Sequence, residues 1–336
     1  MDLTRFLMQR PVSARGTGST PESPPTAECG CARELRVLRT VAEVRESVRD
    51  ARAAGLTLGL VPTMGALHEG HLSLVRRARE QCDLVVVTVF VNPTQFDEAA
   101  DLRGYPCDER RDAELAAQAG AGLLFAPSVE EIYPAGFSSA VEVLGVSEPL
   151  EGALRGSAHF RGVATVVVKL FNIVTPDVAY FGQKDAQQVA VIRRLVRDLD
   201  IAVRIEVCPT VRELDGLALS SRNAHLSPID RARATALHRA LATVQAAVGA
   251  GERDPAALRA QALDELSAAG IEPDYVELVS SDALEPVRRI DCDFLVVIAA
   301  HVGDTRLIDN QLIQLSRNHN REVATPTRAP TIASRR

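Results

Sequence analysis

The sequence predicts an α/β protein in which a Rossmann-like parallel sheet domain precedes a smaller α+β C-terminal domain. Three stretches carry that expectation. An apolar run (Leu56, Leu58, Leu60, Val61) passes through a turn into the helix-spaced Leu72, Leu74, Val75 and Ala78, and then into a second run, Leu84 to Val91. A second strand, Val178 to Phe181, likewise gives way through Gly182 to a helix marked by Val189, Ile192, Leu195, Val196 and Leu199. Beyond residue 210 the order changes to helices followed by strands, the pattern of a separate α+β unit.

The 336 residues suffice for two domains, and 46% hydrophobic with 24% charged residues is an ordinary globular composition. A formal charge of −6 without a long Lys/Arg run argues against a nucleic-acid surface. The longest apolar runs, Leu84 to Val91 and Phe294 to Ala300, fall far short of a membrane span. Cys29, Cys31, Cys82, Cys107, Cys208 and Cys292 lack zinc-ribbon spacing, and with no secretory leader they read as reduced thiols of a cytoplasmic protein.

In chain order, residues 1–34 are rich in Pro, Ser, Thr, Gly and Arg and are expected to be a disordered extension. Val41, Val44, Val48 and Ala51 mark a helix ending at Gly55. The strands at 56–62 and 84–91 are apolar throughout, as in a parallel sheet covered on both faces. Residues 109–119 predict a helix, 122–126 a short strand, 127–149 mostly loop, and 162–174 a buried helix despite its β-branched residues. After the strand and helix at 178–199, one more strand at 203–208 completes the larger domain, 35–209. Residues 211–223 read as a mobile polar segment. Helices at about 228–248 and 254–269, the first capped by Ser227 before Pro228, and strands near 274–280 and 293–300 fill the second domain, 210–316. Residues 317–336 read as a flexible tail.

His68 and His71 stand where a strand ends and a helix begins, with Gly70 letting the backbone approach a ligand. Unpaired N–H groups at such a terminus attract phosphate. Two histidines also suit a metal, but zinc wants further ligands at short spacing and the next candidates are distant. Lys184 and Asp185 occupy a second helix N-terminus, expected at the same sheet edge. Asp185 there is an ordinary cap or first-turn acid, whereas Lys184 opposes the helix dipole unless an anion offsets it. Ser220, Ser221 and Arg222 add hydroxyls and a planar fork of donors suited to phosphate oxygens. Asn92 and Gln95 after the 84–91 strand could read a polar substrate, although Asn before Pro93 is also an ordinary turn cap.

Taken together, PTMGALHEGH at 62–71, FVNPTQF at 90–96, HFRGV at 159–163, FGQKDAQQ at 181–188 and DGLALSSRN at 215–223 resemble, in order and spacing, the pantoate–β-alanine ligase family over about residues 36–316. That family belongs to the nucleotidyltransferase-like superfamily carrying the H-x-G-H element. The resemblance implies ATP-dependent joining of pantoate to β-alanine through a pantoyl adenylate, with release of AMP and diphosphate. It implies ATP binding by Met64, Gly65, Ala66, Leu67, His68, Glu69, Gly70, His71, Gly182, Gln183, Lys184, Asp185, Val211, Leu219, Ser220, Ser221 and Arg222. It makes His71 the proton donor, with His68, Lys184 and Arg222 on the phosphates, and gives pantoate to Gln95 and Gln188. It further implies Mg2+ entering with ATP on no named protein ligand, residues 210–316 as a lid, and a homodimer built on the larger domain.

The chain departs from the family at three places. Cys107 follows Tyr105 and Pro106 where an arginine is usual, leaving Arg103, Arg110 and Arg111 as candidate replacements. Arg155 to Ala158 is one residue longer than usual before His159, which bears on any substrate role for Arg155. The N-terminal extension has no counterpart. Competing readings are transfer of AMP onto a phosphate, which fits the two glutamines less well, a class I tRNA synthetase, which lacks a basic aromatic surface, and a catalytically inactive nucleotide binder, which would not need His68, His71, Lys184 and Arg222 intact.

Overall fold

A computed structural model describes residues 35–96 and 104–315. The expectations for the N-terminal extension with Cys29 and Cys31, for Arg103 and for the tail after 316 lie outside those residues. A six-stranded sheet has the order β1-β4-β3-β2-β5-β6, formed by Arg36–Leu38 (β1), Leu58–Thr63 (β2), Leu84–Val89 (β3), Leu123–Phe125 (β4), Val178–Gly182 (β5) and Arg204–Cys208 (β6). All neighbouring strands run parallel.

Parallel strands need crossovers, and these cover both faces of the sheet. Leu58, Leu60, Val86 and Phe125 pack on one face with helices Val41–Ala53 (α1), Ser157–Val174 (α6) and Ala186–Asp198 (α7). Val61, Val85, Val87 and Leu124 point the other way, toward helices Glu69–Gln81 (α2) and Glu109–Gln118 (α3). Each such side chain, once buried, contributes about 1.5–3 kcal/mol. That double covering explains why the strands read as continuous apolar runs.

From central β2 the chain moves outward through β3 and β4 on one side, whereas β5 and β6 lie on the other. The strand order reverses between β2 and β5, which pair directly through Gly59 with Val178 and Leu60 with Ala179. A crevice opens at the carboxyl ends of strands at such a switch point, so the turns following β2 and β5 must face one another there.

A three-stranded antiparallel sheet, Pro273–Val279 (β7), Phe294–Val302 (β8) and Thr305–Ile313 (β9), buries one face against Ala236–Gly249 (α9) and Pro255–Ala268 (α10) through Leu237, Leu241, Leu258 and Leu266. Leu295 and Val297 on its other face pack with Phe160, Ala186 and Val191 of the larger region.

Several elements differ from the sequence expectation. β1 is an added edge strand before the first helix, too short at three residues to show a period. The helix expected over 228–248 is two, Pro228–Ala234 (α8) and α9, interrupted at Thr235, whose hydroxyl donates back to the Ala232 carbonyl at 2.7 Å. Short helices Val129–Ile132 (α4) and Glu151–Arg155 (α5) punctuate the 127–156 region. β9 was not expected, because Asp309 and Asn310 break its apolar alternation.

Candidate active site

The turn after β2 is built on an unusual backbone. Gly65 at φ +91° and Ala66 at φ +51° both lie in the left-handed region, which costs a non-glycine residue about 1–2 kcal/mol. Asp112 of α3, 2% exposed, holds the turn by accepting from the backbone N–H groups of Ala66 at 2.9 Å and Leu67 at 2.7 Å. A side chain at position 65 would place its Cβ 2.9 Å from that carboxylate.

His68 then becomes the N-cap of α2, accepting at Nδ1 from the Gly70 N–H at 3.1 Å, while His71 in the first turn accepts at Nδ1 from the His68 N–H at 3.3 Å. The helix thus starts two residues earlier than its apolar period shows. With both Nδ1 atoms accepting, both rings carry their proton on Nε2. The rings lie 4.1 Å apart between centroids, and a Cβ at Gly70 would sit 2.8 Å from Cε1 of His68. Glycine is required there by close approach.

Burial, the neighbouring His68 and the Lys184 charge push the His71 pKa down to about 3, with Asp185 opposing them. Burial and Lys184 likewise lower His68. At neutral pH His71 is therefore neutral, with its Nε2–H available to donate.

These shifts fix the sign of one stability prediction. Between 6.5, the ordinary value for histidine, and about 3, the unfolded chain binds a proton at His71 that the folded chain does not. The stability contributed by neutral His71 is complete above 6.5 and is lost as pH falls through that window. His68 and His238 act in the same direction. Urea unfolding between pH 7 and 5 is expected to show stability falling with acid, and His71→Ala should reduce the slope by up to about one proton. An unchanged slope in the variant would refute the neutral, buried assignment.

Lys184 and Asp185 follow β5. Asp185 takes the N-cap position of α7 without making a capping bond; its Oδ1 lies 3.5 Å from Lys184 Nζ. Part of the anion that Lys184 was expected to need is therefore its neighbour. Asp185 is half exposed, so that pairing is weak and the ammonium, 20% exposed, keeps charge to offer a ligand.

Ser220 and Arg222 do not sit on a loose segment. Arg212 and Ala218 form an isolated bridge, Arg231 ties down Glu213 at 2.6 Å and Asp215 at 2.8 Å, and Ser221–His225 is a short 3-10 turn. Ser220 caps that turn by accepting from the Arg222 N–H at 3.3 Å, which leaves its hydroxyl proton free to donate.

The turn after β3 explains the amides. Asn92 is 1% exposed; its Oδ1 accepts from Tyr133 and Thr94, both at 2.8 Å, and its Nδ2 donates to Gln95 Oε1 at 2.9 Å and the Gly162 carbonyl at 3.1 Å. Asn92 is thus a scaffold for the turn. Gln95 reaches the cleft, its Nε2 directed to Met64 Sδ at 3.0 Å and its carbonyl bound to His159 Nδ1 at 2.9 Å. A Cβ at Gly162 would meet the Thr94 carbonyl oxygen, so glycine lets α6 press against this turn.

One cleft of about 1170 Å³ receives the turns after β2, β3 and β5 and the segment 219–222. Met64, His68, Gly70, His71, Gln95, Gly182, Lys184, Asp185, Gln188, Val211, Leu219, Ser220, Ser221 and Arg222 line it. The others implied for ATP lie behind that wall. Gly65, Ala66 and Leu67 form the Asp112-bound turn, Glu69 pairs with Arg76 on the helix exterior at 2.5 Å, and Gln183 donates to Asn310 at 3.0 Å. Arg155 lines the cleft and pairs with Glu151 at 2.9 Å, and Gly156, at φ +79°, separates α5 from α6. Cys107 is exposed outside the lining, and Arg110 and Arg111 project from α3, Arg110 pairing with Glu114 at 3.1 Å. Neither arginine is among the residues lining the cleft.

Sequence reasoning missed Asp112, Glu151, Arg306, Asp309 and Asn310. Burial is the largest single influence on Glu151 and raises its pKa, but Arg306 and Arg155 together outweigh it and hold the carboxyl down to about 2; Glu151 also accepts from the Tyr275 hydroxyl at 2.9 Å. The available signal was a charged or amide residue inside an apolar period, as at 309–310. Among the described residues no cluster of three or more His, Cys, Asp or Glu is placed to hold a metal.

Known proteins resemble the chain over most of its length. Residues 36–312 match the family model described as pantoate-beta-alanine ligase. A pantothenate synthetase of Moorella thermoacetica is 53% identical over 283 residues, 84% of this chain and 100% of that protein. The crystal structure of pantothenate synthetase from Thermus thermophilus superposes with a TM-score of 0.78 at 45% identity, covering 83% of this chain and 100% of the other. That of the Francisella tularensis pantoate-beta-alanine ligase, complexed with beta-gamma ATP and beta-alanine, gives 0.69 at 34% identity, covering 83% and 97%.

Proposed function

The chain belongs to the pantoate–β-alanine ligase family, and we propose that its cleft makes pantothenate in two half-reactions, with His68, His71, Lys184, Ser220, Ser221 and Arg222 on ATP and with Gln95 and Gln188 on pantoate. The observation that carries this reading is the convergence of the turns after β2 and β5 in one cleft at the strand-order reversal. Those turns supply neutral imidazole donors and an ammonium side by side, which is the equipment for a polyphosphate.

In the first half-reaction a pantoate carboxylate oxygen attacks the α-phosphorus of ATP, and the bond to the β-phosphate oxygen breaks. Diphosphate leaves with the bonding pair. Negative charge grows on the bridging and β-phosphate oxygens, where Nε2–H of His71 and His68 and the Lys184 ammonium lower the barrier by fixed electrostatics. Mg2+ arrives as part of the ATP substrate, its ligands chiefly phosphate oxygens. In the second half-reaction the amine of β-alanine attacks the acyl carbon; AMP departs with the bonding electrons, and the nitrogen loses a proton to solvent. The segment 210–316, which brings Ser220 to Arg222 and β9 to the cleft, acts as a lid. A homodimer and a cytoplasmic location complete the proposal; among the described residues no helix is long and apolar enough to cross a membrane.

The deciding experiment incubates the protein with ATP and magnesium, adding pantoate and β-alanine singly and together. Pantoate alone should support exchange of diphosphate into ATP, and sustained AMP release should need both substrates. AMP release indifferent to β-alanine would overturn the ligase reading. Gln95→Ala is expected to raise the pantoate KM about tenfold or more, as a lost polar contact of 1–3 kcal/mol would, with the ATP KM little changed. Steady-state kinetics with pantoate varied checks this.

A further inference from the structure

The two candidate phosphate-binding segments, 182–185 and 219–222, are far apart in sequence and come from different regions of the fold. What joins them is β9. Asn310, 4% exposed, spends its whole amide on the segment after β5. Nδ2 donates to the carbonyls of Gln183 at 2.9 Å and Lys184 at 2.8 Å, and Oδ1 accepts from Gln183 Nε2 at 3.0 Å. The adjacent Asp309, 2% exposed, takes Arg212 in a two-pronged pair at 2.6 and 3.0 Å. Arg212 in turn donates to the Gly216 carbonyl at 3.0 Å, closing the hairpin that leads into Leu219 to Arg222. The Asp309 Oδ1 that accepts from Arg212 also accepts from the Asn310 N–H at 2.8 Å, so the two residues form one hydrogen-bonded unit.

We propose that Asn310 is a positioning residue for Lys184, and that Asp309 and Asn310 together hold the two phosphate-facing segments in register across the cleft. This rests on the role given above to Lys184. The chemistry explains the residue type. Two consecutive carbonyl oxygens need two donors on one nitrogen, and the Gln183 amide needs an acceptor beside them. Asparagine offers both in one plane. Aspartate has the same shape but would set an oxygen against two carbonyl oxygens, inverting the interaction. A buried, fully satisfied network of this kind fixes one geometry, which is what an ammonium aimed at a transferring phosphate requires.

The test is a double-mutant cycle in the full-length protein on pantoate-dependent exchange of diphosphate into ATP, with thermal melting of each variant. Asn310→Asp, the isosteric change, should lower kcat for exchange about tenfold or more, corresponding to loss of a buried hydrogen-bond network, while the KM for β-alanine in the complete reaction stays within about twofold. Asn310→Ala should behave alike. In the Lys184→Ala background either change should cost less than about threefold further, because residues that act as a unit are not additive. Fully multiplicative losses would overturn the inference, as would wild-type kcat in Asn310→Asp, or a loss matched by the unfolded fraction at the assay temperature. If Lys184→Ala itself left exchange unaffected, the role of Lys184 would fall and this inference with it. A large Lys184→Ala loss with additive Asn310 effects would overturn the inference alone.

Discussion

His71→Ala is expected to lower diphosphate exchange by about 10² to 10³, the effect of removing one preorganised donor to charge that develops in a transition state, or about 2.7–4 kcal/mol. The argument rests on what holds the ring. His71 is locked into the first turn of α2 by its own N–H, which donates to the His68 carbonyl at 2.8 Å, and by the His68 N–H on its Nδ1. Its remaining nitrogen can only donate. A ring kept neutral by burial is also free of competition from solvent protons across the physiological range. Alanine deletes the donor and leaves the helix intact, since alanine is the best helix former. Thermal melting should therefore shift far less than the rate. Near-wild-type exchange by a folded His71→Ala would remove His71 from the reaction.

Lys184→Ala should cause a loss of similar size by a different route. Its ammonium is a full charge in a cleft walled by α2 and the chain after β5, where field lines are less screened than in water. Removing it should depress kcat for adenylate formation more than it raises the ATP KM, because charge on the departing diphosphate exceeds charge on the bound nucleotide at the same oxygens. Asp185, left beside the phosphates without its partner, adds repulsion. Lys184→Arg keeps the charge but replaces a compact ammonium by a planar fork, and only partial recovery is expected. A loss confined to the ATP KM would show that Lys184 binds ground state and transition state alike.

The elements around the cleft were legible because their signals are local. β2 and β3 are covered on both faces, so their apolar runs report strands without needing a partner to be known. Ser227 before Pro228, and the 3.6 period of α7, are written in a few neighbouring residues. The placing of His68 and His71 at a strand-to-helix turn was legible for the same reason. Glu69 and Gln183 were carried over with the motifs that contain them, yet each turns away from the cleft, because adjacent residues at a helix start point in different directions.

Other features depend on distance in sequence. Asp112 looks like one more charge on a helix face until the left-handed turn at Gly65 and Ala66 arrives beside it. Asp309 and Asn310 look like interruptions in a strand until the Arg212 hairpin and the carbonyls at 183 and 184 supply their partners. The segment at 211–223 reads as loose because Arg231, which pins it, belongs to the following helix.

The sequence by itself determined the α/β class, the strand-to-helix passages and the identity of the groups that can meet a phosphate, since each follows from spacing and chemistry within about ten residues. Only the tertiary structure decided which of those groups share the cleft, that both histidines are neutral donors, and that a strand near the far end of the chain braces the lysine turn. Burial and hydrogen-bond partnership are properties of neighbours in space, and here those neighbours stand as many as 155 residues apart along the chain, as Glu151 and Arg306 do.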